Sequence, residues 1–97
     1  MSARACVIGH IHVRDTEKWA AYRQQVPATL QLWGGELLLR GQQGAALSGN
    51  QPHADCVVLR FPDRAAVDGW YASPAYQALI PLRDAAADVQ LLVYTTD

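Results

Sequence analysis

The 97-residue chain is expected to adopt an α+β, ferredoxin-like βαββαβ fold, with both helical layers on one face of a four-stranded antiparallel sheet. Two observations carry this expectation. Apolar and polar residues alternate in short, strand-like stretches near the start, middle and end of the chain. Between them, large apolar residues recur at spacings of three and four, the period of an amphipathic helix.

Cys6 to Val13 reads CVIGHIHV, with Val7, Ile11 and Val13 on one face and Cys6, Ile8, His10 and His12 on the other. Asp15 is the N-cap of a helix whose buried stripe is Trp19, Tyr22, Val26, Leu30 and Trp33. Pro27 lacks the amide an interior turn needs, so a kink or a restart is expected there, and Gly34-Gly35 stops the helix. Glu36 to Arg40 is a short strand with Leu37 and Leu39 on one face and Glu36, Leu38 and Arg40 on the other. Gly41 to Ala54, rich in Gly, Gln, Ser and Asn, reads as a long exposed loop. Asp55 to Phe61 is the third strand, ended by Pro62, with Asp63 as the next N-cap. A short helix from Arg64 to about Tyr71 breaks at Ser73-Pro74; a further helix runs through Tyr76 and Leu79 toward Ala87, perturbed at Pro81. Val89 to Tyr94 closes the chain as the fourth strand.

A chain of this length is one domain, residues 1–97, and an apolar content of 51% with 18% charged residues is that of a folding chain. The formal charge of -1 leaves no basic footprint for nucleic acid. No apolar run exceeds four residues, so neither a membrane span nor a signal peptide is expected, and the chain reads as cytoplasmic. Cys6 and Cys56 then read as reduced thiols. Seven Arg against one Lys, with 16 Ala, suggests a bacterial genome of high GC content.

In this topology strands one and three are central neighbours, and Cys56 is expected beside Cys6 in a parallel pairing. The sheet face away from the helices carries Cys6, Ile8, His10, His12, Glu36, Leu38, Arg40, Cys56, Val58 and Arg60. That mixture is too apolar for water and too charged for a dry core. A homodimer made by packing two such faces resolves both problems, with His10, His12, Glu36, Arg40 and Arg60 as its polar belt.

The ordered set of Asp15, Tyr22, Pro27, Gly34-Gly35, Arg40-Gly41, Phe61-Pro62, the run Trp70-Tyr71-Ala72-Ser73-Pro74-Ala75-Tyr76-Gln77, and Arg83 resembles the DUF1330 family of small bacterial domains. The resemblance implies a dimeric α/β barrel made by facing sheets, and no established chemistry. Two departures stand out: Glu36 occupies a position that is usually basic and Arg60 one that is usually acidic. If strands two and three form a hairpin, this double exchange keeps an attractive cross-strand pair. His10 and His12 stand where acidic residues are common, which separates strand one from any inherited acid-base role.

His10 and His12, about 6.6 Å apart on one strand face, lack a third ligand, because Cys6 is about 13 Å from His10 along the strand. Structural imidazoles at the dimer face are the favoured reading and no metal is expected. Neither cysteine has the neighbouring cation or helix N-terminus that activates a thiol. No phosphate loop is present, and no cofactor is expected. Tyr22, Trp70, Tyr76 and Arg83 are the candidate ligand-binding set, lining a space between helices and sheet where Gly9 leaves room, with phenols as hydrogen-bonding groups and Arg83 as an anion clamp. Ordinary core packing competes for the same residues. The two functional readings are a cofactor-free enzyme or binder of a small metabolite, and a non-enzymatic dimerisation or accessory module whose interior is filled.

Overall fold

The computed structural model describes residues 4–96. It contains β1 (Ala5–Val13), α1 (Thr16–Leu30), a single 3-10 turn (Gln31–Trp33), β2 (Glu36–Gln42), β3 (Asp55–Phe61), α2 (Arg64–Ala72), α3 (Pro74–Gln77), α4 (Ile80–Ala86) and β4 (Ala87–Thr95). The sheet order is β2-β3-β1-β4, and all three pairings are antiparallel, as the ferredoxin-like order requires.

The sequence marks the starts of α1, α2 and α3, but not that of α4. Asp15 accepts from the Lys18 amide at 3.1 Å, Asp63 from Ala66 at 2.8 Å, and Ser73 from Tyr76 at 3.2 Å. Pro27 neither stops α1 nor restarts it. The carbonyl it leaves without a helical donor, that of Arg23, is on an exposed part of the helix, where water can replace the missing amide. Gly34 ends the helical segment at φ 68°, and a Cβ at Gly35 would fall 2.8 Å from the Phe61 ring and 2.9 Å from Leu30. The helical stretch after Ser73 is two short helices rather than one, and β4 starts two residues earlier than its alternation suggests, immediately after α4. Arg14 secures that junction: its amide bonds the Ala86 carbonyl at 2.8 Å and its side chain pairs with Asp88.

Two expectations about the sheet are corrected. β1 and β3 are antiparallel, with Cys6 opposite Arg60 and His10 opposite Cys56, so the cysteines are not neighbours. The α1 crossover returns the chain parallel to β1 in β2, and the β2–β3 connection then reverses it, leaving β3 no other direction. The second correction concerns β2. Its register with β3 runs Glu36–Arg60 and Leu37–Leu59, then slips to Leu39–Val58 and Arg40–Val57. Leu38 is the extra residue of a bulge, and beyond it every side chain changes face. Leu39 therefore joins the open face, while Arg40 shares the helix side with Val57 and lies off the predicted polar belt.

The core lies between helices and sheet, with Val7, Phe61, Trp70 and Tyr76 its largest fully buried side chains. The opposite face carries Ile8, Val58, Leu39, Leu92 and Tyr94, the last three exposed, among the polar residues already named. Among the described residues, no helix is long and apolar enough to cross a membrane.

Candidate functional site

The candidate residues Tyr22, Tyr76 and Arg83 meet in one hydrogen-bonded chain. The hydroxyls of Tyr22 on α1 and Tyr76 on α3 are 2.8 Å apart, and Arg83 on α4 donates from Nη1 to the Tyr76 hydroxyl at 3.1 Å. Helix α3 is only one turn long, and its Ser73 cap and Pro74 orient Tyr76 inward. Hydrogen-bond capacity decides the direction of the chain. A guanidinium only donates, so the Tyr76 oxygen accepts from Arg83. Tyr76 is fully buried, and among the described residues the only acceptor its hydroxyl meets is Tyr22. Donation from Tyr76 to the Tyr22 oxygen satisfies the fully buried phenol and leaves the Tyr22 hydroxyl, on the cavity side, able to donate to a third group.

Burial, reinforced by the adjacent Tyr76, pushes the Tyr22 phenol well above the ordinary tyrosine range, so it remains protonated and acts as a donor rather than a base. Burial alone would lower Arg83. Its hydrogen bonds to Tyr71 and Tyr76 and its contact with Asp84 outweigh that effect and keep it charged.

Trp70 does not join this chain of polar groups. Its indole N–H donates to Thr29 Oγ1 at 3.0 Å, and Thr29 passes its own proton to the Val26 carbonyl at 2.7 Å. With its N–H so engaged and its ring against Phe61 and Tyr76, at centroid distances of 5.3 and 4.4 Å, Trp70 can give a ligand an apolar surface but no hydrogen bond.

Between α1 and the sheet lies a cavity of about 560 Å³, within the size range of small-molecule sites. Its walls include Ile11, Trp19, Val26, Leu30, Val57 and Leu59, with Tyr22 and Trp70 also lining it. Tyr76 lines neither this cavity nor a smaller one of about 450 Å³ that Trp70 and Arg83 border. Arg83 is thus separated from the larger cavity by the two tyrosines and is not a clamp for its contents. Gly9 does not open the space either, because Val57 and Leu91 close over it, within 2.8 and 3.1 Å of where a Cβ would stand.

The lining residues that the sequence did not mark as part of the site include Trp19, Arg23 and Arg40. Trp19 was legible as part of the buried helical stripe. Arg40 was hidden by the bulge, which leaves no mark in the local alternation.

On the other face of the sheet, Glu36 and Arg60 are directly opposed across β2 and β3 and form an ion pair, as the exchange of signs anticipates. His10 lies between Cys56 and Gln90, and His12 opposite Asp88, its ring 6.5 Å from that of His53. Among the described residues, no three His, Cys, Asp or Glu side chains are grouped closely enough to hold a metal.

Several solved structures share this fold. RPA0582 from Rhodopseudomonas palustris, a protein of unknown function, is 20% identical with a TM-score of 0.82, over 100% of this chain and 85% of its own. SnoaB from Streptomyces nogalater, a cofactor-independent oxygenase, is 9% identical with a TM-score of 0.71, over 99% and 95%. A dimeric ferredoxin-like protein of unknown function from Thermobifida fusca is 11% identical with a TM-score of 0.69, over 99% and 93%. No curated protein matches the chain. At these identities the likeness is one of fold, but the family model described as a domain of unknown function, DUF1330, matches residues 4–96, and the chain belongs to that family.

Proposed function

We propose that this protein is a homodimer that binds a small, largely apolar metabolite in the cavity between α1 and the sheet, with the Tyr22 phenol as its hydrogen-bond donor. The observation that carries the reading is the Arg83–Tyr76–Tyr22 chain, whose end phenol, Tyr22, lines a mainly apolar cavity. An oriented donor in a mainly apolar space is typical of a small-molecule site. If the bound molecule is converted, the neutral phenol suits stabilisation of an oxygen that gains negative charge, a role needing no cofactor. A cofactor-independent oxygenase on the same fold is consistent with such chemistry.

The dimer rests on the open face, where Ile8, Val58, Leu39, Leu92 and Tyr94 make an apolar field too large to leave in water. A second copy meets it with the same apolar centre, and a fold neighbour from Thermobifida fusca is itself dimeric.

Trp19 and Trp70 both line the cavity, so tryptophan fluorescence and melting temperature report on its occupation. In a metabolite screen, ligands are expected to shift both signals in the wild type. Trp19→Phe should lose most of the fluorescence response while keeping the thermal shift. A library in which no member moves either signal would overturn the proposal in favour of the accessory module.

A further inference from the structure

The bulge at Leu38 brings Arg40 onto the helix side of the sheet, where it joins Arg23 of α1 among the residues lining the cavity. Neither arginine makes an ion pair with any described residue, whereas Arg14, Arg60, Arg64 and Arg83 all do. The acidic residues in the same lining leave both without an ion-pair partner: Glu36 is committed to Arg60, and Asp55 forms no ion pair among the described residues. Partial burial lowers the Arg40 pKa, and the charge of Arg23 lowers it further. Two arginines without ion-pair partners on the wall of one mainly apolar cavity fit an anion held by charge-assisted hydrogen bonds, with its apolar body inside.

We infer that the ligand of this cavity is an amphipathic monocarboxylate, its carboxylate held by Arg23 and Arg40 and its hydrocarbon or aromatic body among Trp19, Val26, Leu59 and Trp70. This rests on the proposed function and names the substrate class of that same site. A carboxylate is favoured over a more highly charged group because Asp55 offsets part of the positive charge at the same lining. The Tyr22 phenol, on the same wall, is then a donor for a ketone, ester or phenol oxygen carried on the ligand's body.

Two matched pairs of probes test the class: decanoate with decanol, and naphthoate with naphthylmethanol, titrated calorimetrically into the full chain. The acid of at least one pair is expected to bind about tenfold more tightly than its alcohol, in line with the strength of hydrogen bonds to charged groups. Arg40→Gln and Arg23→Gln should each remove most of that preference and leave alcohol affinity within about twofold, since uncharged contacts are unchanged. Higher salt should weaken the acids selectively. Equal binding of acid and alcohol, or a preference that survives both substitutions, would overturn the carboxylate assignment and leave the cavity reading standing. Failure of all four probes to bind would overturn the cavity reading itself. Both arginines are exposed, and circular dichroism of each variant checks that the fold is kept.

Discussion

The Tyr22 hydroxyl accepts a hydrogen bond from one buried phenol and keeps its own O–H to donate, an arrangement favoured by the donor-only chemistry of Arg83 two side chains away. Because the folded protein holds this phenol above its ordinary pKa of 10.0, the unfolded chain releases the proton first as the pH rises. The stabilisation is complete below about pH 10 and is lost above it. Tyr22→Phe is expected to flatten the alkaline fall in urea-measured stability by up to about 1.4 kcal/mol per pH unit. At neutral pH the same change should cost about 1–3 kcal/mol, because the Tyr76 hydroxyl loses its acceptor in a fully buried place. Superimposable alkaline profiles for wild type and variant would show that the fold does not hold this proton.

At the scale of elements, the β2–β3 ladder does two separate jobs on either side of its bulge. Before Leu38 it opposes Glu36 to Arg60, and after it the strand presents Arg40 to the cavity. Both members of the ion pair are about half exposed, so its worth is modest, a few tenths to about 1 kcal/mol. Glu36→Arg alone is expected to destabilise by that order, and the double exchange Glu36→Arg with Arg60→Glu should recover part of the loss in a double-mutant cycle. Purely additive effects would mean that the opposed signs do not interact. The bulge also accounts for the split between Leu37, which packs toward Leu59, and Leu39, which is left on the open face.

For the whole molecule, the unpaired sheet face is the feature that one chain cannot resolve. Ile8 is at its centre, paired with Val58 on one side and Leu92 on the other. Ile8→Glu would place a carboxylate in a dry interface without a partner and is expected to raise the dimer dissociation constant by tenfold or more, about 1.4 kcal/mol. Sedimentation velocity across a concentration series reads this directly. A wild type that sediments as a monomer at micromolar concentration would overturn the homodimer, and a variant as tightly associated as the wild type would place the interface elsewhere.

Strand alternation, the 3.6-residue stripe of α1, and the Asp15, Asp63 and Ser73 caps were all legible in the sequence, because each depends on residues only a few positions apart. So was the Glu36–Arg60 pair, once the family comparison exposed two exchanged signs in a hairpin. The gathering of Tyr22, Tyr76 and Arg83 was legible as a set of polar-tipped side chains on helices facing one sheet. Their order was not, since which phenol faces the cavity depends on how three helices pack. Arg40 shows the limit most plainly. A single added residue in β2 reverses the face of everything after it, and no local pattern reports that slip, because it is settled by the hydrogen-bond register with β3. Tertiary structure alone thus moved one arginine from a presumed dimer face to the wall of the cavity.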